Sequence, residues 1–150
     1  MKKRKGILSV LLAVMLVAGV TACGSKKEDA SEQKPEGEIT ADDISDTMES
    51  EDGKYVVAMV TDVAQLKDGN FNEGTWNGVK CFASEKGYSY KYYQPANGNE
   101  ATDSDRYDAM IAAIDNGAEI IVTPGYMQYE ALYQAATEHP EVKFVFIDGW

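Results

Sequence analysis

Along residues 54–150 the apolar positions switch repeatedly between a period of two and a period near 3.6, and the switches mark the elements. Residues 55–61 form a β-branched and aromatic run that stops at Asp62, the signature of a strand. After a loop containing Asp68, Gly69 and Asn70, residues 72–86 put Trp76, Val79 and Ala83 at helical spacing, with Phe82 widening the stripe. Asn72 is placed to cap this helix and Gly87 to stop it. A second strand is expected over residues 88–94, with Tyr88, Tyr90 and Tyr92 on one face, before Pro95-Ala96-Asn97-Gly98 breaks it. Thr102 followed by Asp105 has the form of a capping box, and Tyr107, Met110, Ile111 and Ile114 carry the stripe of a second helix. Asn116-Gly117 closes that helix, Ile120-Ile121-Val122 reads as a strand buried on both faces, and Pro124-Gly125 ends it. A third helix over residues 129–138 turns Leu132, Ala135 and Ala136 inward and stops at His139-Pro140, and residues 144–147 form a fourth strand.

The order is strand, helix, strand, helix, strand, helix, strand. Strands joined through helices run parallel, so the fold class is α/β, an open doubly wound parallel sheet with helices on both faces. Ligands of such sheets lie beyond the carboxyl ends of the strands. That places a site among residues 62–72, 95–102, 123–128 and 148–150 before any chemistry is considered.

The pattern differs in the first fifty residues. Lys2, Lys3, Arg4 and Lys5 precede an almost unbroken apolar run over residues 7–20, and Val20-Thr21-Ala22-Cys23 supplies a small-residue cleavage site ending in cysteine. A membrane-spanning helix needs about 20 apolar residues. This run stops short, so residues 1–22 are expected to be a lipoprotein signal peptide and Cys23 the lipid anchor, holding the mature chain on the extracytoplasmic face of the cell membrane. Residues 23–53 are polar and hold eleven acidic residues against three lysines, a composition expected to form a flexible stalk. Residues 54–150 remain for one small domain. They end on a strand-end Asp-Gly-Trp, which suggests a fragment of a longer protein.

Charge and chemistry narrow the function. Without residues 1–22 the chain keeps 10 basic residues against 25 acidic ones, a net charge of −15, and it has no basic stripe, which excludes nucleic acid as a partner. Cys81 is the one cysteine after the stalk, leaving no partner for a disulfide, and is expected to be a small buried apolar residue. His139 falls at the amino end of the fourth strand, away from the expected site, so a catalytic triad cannot be assembled. There is no glycine-rich phosphate loop after the first strand, and no cofactor is implied. The candidate loops instead carry Asp62, Asp68, Phe71, Asn72, Tyr126, Asp148 and Trp150. Carboxylates and an amide accept hydrogen bonds from sugar hydroxyls, and an aromatic ring supplies a stacking face. Each also has a purely structural alternative: a cap or turn for Asp62, a hydrophobic staple for Phe71, an exposed loop aromatic for Tyr126. Oxygen ligation of Ca²⁺ or Mg²⁺ by Asp62, Asp68 and Asp148 is a further alternative, although no twelve-residue calcium loop exists.

These residues resemble the basic membrane lipoprotein family, the substrate-binding proteins of ABC transporters that in many cases take purine nucleosides. The resemblance rests on Thr61-Asp62, on Asp68-Gly69-Asn70-Phe71-Asn72 with Trp76-Asn77-Gly78, on residues 121–126, and on Phe144-Val145-Phe146-Ile147-Asp148. It implies a type I periplasmic-binding-protein-like fold of two lobes, of which this chain carries the first. It also implies that Phe71 stacks on a base, that Asp62 and Asn72 make polar contacts, and that the backbone at Gly125, with Tyr126 beside it, closely approaches the ligand. A small-molecule ligand, an ABC permease and the membrane would then be the partners, and the protein would not be an enzyme. A surface enzyme using Asp62 and Asp148, or a ligand sensor, are the alternatives from other classes.

Overall fold

The computed structural model describes residues 39–63 and 65–149. The expected signal peptide, Cys23, most of the stalk and Trp150 lie outside the described residues. Four strands, β1 (Val57–Val60), β2 (Tyr90–Tyr93), β3 (Ile120–Pro124) and β4 (Lys143–Ile147), alternate with three helices, α1 (Phe71–Lys86), α2 (Asp103–Asp115) and α3 (Tyr129–Glu138). The strands pair in parallel in the order β2-β1-β3-β4, so the doubly wound sheet expected from the pattern is the fold. β1 and β2 come out shorter than the runs over residues 55–61 and 88–94 that predict them, and β4 begins one residue earlier than expected, because pairing and not composition sets strand length.

Each face has its own core. On one, Trp76, Val79 and Ala83 of α1 lie on Val57, Met59, Tyr90 and Val122. The indole is fully buried and meets Tyr90 and Tyr92 edge to face, with centroids 5.6 and 5.3 Å away, an arrangement suited to the quadrupoles of aromatic rings. On the other face Ala109, Met110 and Ala113 of α2 join Ala131 and Ala135 of α3 over Ala58, Val60 and Ile121.

Several local expectations are corrected. The buried stripe of α2 is Arg106, Ala109, Met110 and Ala113, rotated from Tyr107, Met110, Ile111 and Ile114. Alanines let α2 approach both the sheet and α3, which leaves the larger side chains at the margins. On α1, Phe82 is exposed, and it meets Tyr88 and not the core. Cys81 is not buried; it is half-exposed beside Ile39, Ile44 and Ser84. In α3, Ala131 and Ala135 are buried while Leu132 and Ala136 are only partly so.

The largest correction concerns the expected stalk. Thr40 and Asp43 form a capping box around a 3-10 turn at Ala41–Asp43, and the chain beyond it lies against α1 and β2. The Tyr90 hydroxyl donates to Ser45 O (2.8 Å), and the Lys80 ammonium donates to Ala41 O (2.9 Å) and Ile44 O (3.0 Å). Polarity along residues 39–48 hid this packing, because several of the contacts are made by backbone carbonyls, which have no signature in composition, and the Asp46 carboxylate pairs with groups distant in sequence.

Candidate functional site

β1 and β3 are neighbours, but the crossover after β1 passes over one face through α1 and the crossover after β3 passes over the other through α3. The loops leaving the two strands therefore diverge and open a crevice at their carboxyl ends, the switch point at which sheets of this kind bind ligands. Asp62 stands there. Its Oδ1 accepts from Asn72 Nδ2 (2.9 Å) and from the Val63 amide (2.6 Å), so the hydrogen bonds from described residues converge on one carboxylate oxygen. The other, Oδ2, is turned to Gly125. A Cβ on Gly125 would stand 2.6 Å from Oδ2 and 3.1 Å from Asp62 Cβ, and Gly125 has φ +88°. Contact and conformation thus both demand glycine.

Asn72 is not the helix cap that its position suggested. It lies inside the first turn of α1, 1% exposed, and the capping is done by Asp68. That carboxylate accepts the amides of Asn70 (2.8 Å), Glu73 (3.0 Å) and Asn72 (3.2 Å). Desolvation works against its charge, but the amide donors of Glu73, Asn70 and Asn72 outweigh it and hold the carboxyl below the ordinary aspartate range. Asp68 therefore has a structural assignment at the start of α1, which satisfies the amides a helix end leaves open.

The remaining candidates lie on segments that adjoin Asn72, Gly125 and the end of β4. Phe71 is half-exposed and lines an apolar groove of about 660 Å³ between α1 and the sheet, with Gly74, Gly78, Val122, Val145 and Ile147. Tyr126 is 65% exposed, in the 3-10 turn Tyr126–Gln128 that follows Gly125. The Gly125 amide donates to Ile147 O (2.9 Å), which brings the end of β4 alongside. Asp148 follows with φ +53°, a left-handed conformation that few residues other than Gly, Asn and Asp adopt readily. His139 caps the far end of α3. Among the described residues no group of three or more His, Cys, Asp or Glu side chains could hold a metal ion.

Two residues absent from the sequence reading brace this edge. Arg106, 3% exposed, donates through Nε to the Asp62 carbonyl (3.2 Å) and through Nη1 to Asp103 (3.3 Å). Gln128, fully buried, donates through Nε2 to Val60 O (3.0 Å). The one available signal for Arg106 is its place four residues after the Thr102 cap, one position off the apolar stripe of Tyr107, Met110, Ile111 and Ile114. The Thr61 and Thr123 hydroxyls, Asn72 Oδ1 and Gln128 Oε1 are buried with no partner among the described residues. Unsatisfied buried polar groups are rare in folded proteins; apart from the Tyr93 hydroxyl on β2, those found here belong to residues at or next to the carboxyl ends of β1 and β3.

Residues 55–150 match the family described as ABC transporter substrate-binding protein PnrA-like. The chain belongs to that family. Among curated relatives, the CD4+ T-cell-stimulating antigen of Listeria innocua is 30% identical over 155 positions, which cover 99% of this chain and 38% of that protein. Its counterpart in Listeria monocytogenes is 29% identical over the same shares. The ABC transporter nucleoside-binding protein BmpA of Lactococcus lactis is 26% identical, over 99% of this chain and 37% of that protein. The chain thus spans less than two fifths of the length of these relatives. In this member of the PnrA-like family, the stretch from Asp68 to Gly78 divides its labour. Asp68 caps α1, Asn72 orients Asp62, Trp76 anchors the helix in the core, and Gly78 leaves the groove open.

Proposed function

We propose that this chain supplies one lobe of a membrane-tethered substrate-binding protein that captures a purine nucleoside or a related small polar ligand and delivers it to an ABC permease. The carrying observation is the Asp62 carboxylate at the switch point, anchored through Oδ1 by Asn72 and with Oδ2 facing the side-chain-free surface of Gly125. A carboxylate already anchored in place is prepared to accept hydroxyl groups at its remaining lone pairs without rearranging, so little ordering cost falls on binding. Phe71 offers a stacking face for a base, and Tyr126 and Asp148 stand at the margins. In this reading the ligand is held and released unchanged, a second lobe closes over it, and the lipid on Cys23 keeps the protein at the membrane beside its permease. The name of the Lactococcus relative, a nucleoside-binding protein, supports the ligand class.

Calorimetry of the full-length protein with inosine, guanosine, adenosine and common sugars tests the reading. Heat is expected with a nucleoside, and Asp62→Ala should abolish it. Absence of heat with every nucleoside would remove the proposed ligand class. Release of free base during the titration would favour the alternative of a surface enzyme.

A further inference from the structure

We propose that residues 40–48 form a strap that holds the loop between β1 and α1 in its ligand-receiving shape, with Asp46 as the positioning residue and Lys67 as its link to the loop. The proposal rests on the site assigned above for its binding readout alone.

The strap is fixed to α1 by a buried cation. Lys80 is 2% exposed, and its ammonium donates to Ala41 O, Ile44 O and Asp46 Oδ1, the last at 2.7 Å. Burying an ammonium is costly unless it is paired and fully hydrogen-bonded, and all three of these acceptors come from the strap. The same Oδ1 accepts the Trp76 indole N–H (3.0 Å), so the core indole is also tied to Asp46. The second oxygen points elsewhere: Asp46 Oδ2 pairs with Lys67 at 3.0 Å. Lys67 immediately precedes Asp68, the cap of α1, and lies four residues before Phe71. Glu73 completes the arrangement, standing 3.7 Å from Lys67 through Oε1 and accepting the Gly69 amide through Oε2 (3.0 Å). One carboxylate therefore connects the strap, the middle of α1 and the loop that carries candidate ligand contacts. The Lys80 hydrogen bond, with further help from Lys67, holds the Asp46 carboxyl below the ordinary range despite some desolvation.

The two branches can be cut separately. Lys67→Met removes the loop branch and leaves the Lys80 clasp intact. Because the Lys67–Asp46 pair is half-exposed, the effect should be modest: about three- to fivefold weaker nucleoside binding in the full-length protein, with little change in Tm. Lys67→Arg should restore binding. The amides of Gly69 and Asn70 should exchange hydrogen faster in Lys67→Met without ligand, and raised salt should bring the parent protein toward the variant. Asp46→Asn should lower Tm as well, through Lys80, and its effect on loop exchange should not add to that of Lys67→Met. Unchanged loop exchange in Lys67→Met would overturn the proposal. If the parent protein takes up none of the nucleosides inosine, guanosine and adenosine, the ligand assignment fails, and the exchange measurement still decides the strap.

Discussion

Gly125 carries two constraints at once, a positive φ and contact with Asp62. Gly125→Ala is expected to destabilise the protein by about 1–3 kcal/mol, since an L-residue is strained there and Asp62 must also move; denaturant unfolding would measure it. The same variant should lose nucleoside binding, because the displaced group is the candidate acceptor. Asp68→Ala should behave differently. It leaves the switch point in place but uncaps α1, at a cost of about 1 kcal/mol, and its effect should appear in stability first. At this scale the sequence identified residue types well and assigned roles less well. Asp68 and Asn72 were both singled out, yet which one caps and which one orients depends on where the helix begins. A shift of two residues in the cap position, from Asn72 to Asn70, moved Asn72 into the interior of the first turn.

Helix ends were among the most legible elements. Thr102 and Asp105 form the expected capping box, with Asp105 N donating to Thr102 Oγ1 (3.2 Å) and Thr102 N to Asp105 Oδ2 (2.7 Å), and α3 has the bounds read from its pattern. Thr102→Ala should cost about 1 kcal/mol in thermal or chemical unfolding. The caps also predict a pH dependence. Donation from the Thr102 amide and hydroxyl lowers the Asp105 pKa, and that of Asp68 is lowered too. A carboxyl whose folded pKa is depressed binds its proton less readily in the folded state. Its stabilisation is complete above the unfolded value, near 4, and is lost as the pH falls through the lower folded value. Tm should therefore fall in acid below about pH 4, and Asp68→Asn and Asp105→Asn should each flatten that fall. Helix faces were harder to read than helix ends. The stripe of α2 was misplaced because alanine carries little hydropathy signal, although it is the residue that permits close helix packing.

For the whole molecule, the groove beside α1 and the crevice at Asp62 have different characters. The groove is apolar and runs along the β4 side of α1, whereas the crevice is bordered by a carboxylate, an amide and buried hydroxyls. Only the second suits a polar ligand. The relatives this chain matches are more than twice as long as it is, and the proposed closure over a ligand needs a second lobe. The proposed tethering belongs to that scale also. On that proposal, a Cys23→Ser variant of the full-length protein should bind nucleoside as the parent does and lose uptake, since a lipid there would raise effective concentration at a permease without adding contact; uptake assays alongside calorimetry would separate the two effects.

The sequence by itself determined the order of elements and the parallel sheet, and with them the candidate edge for a ligand, because hydrophobic period and crossover geometry are local or nearly local properties. It also carried the family resemblance, most specifically in the residues from Asp68 to Gly78 and more loosely in Thr61-Asp62, residues 121–126 and residues 144–148. Tertiary structure decided the rest. Only packing could set Oδ1 of Asp62 against Asn72 and Oδ2 against Gly125, 63 residues along the chain, or bury Arg106 and Gln128 beneath that edge. Only packing could turn part of an apparently featureless acidic stalk into a strap on Lys80. Those contacts join groups that are distant in sequence and largely polar, and a hydrogen bond between such groups leaves no periodicity to read.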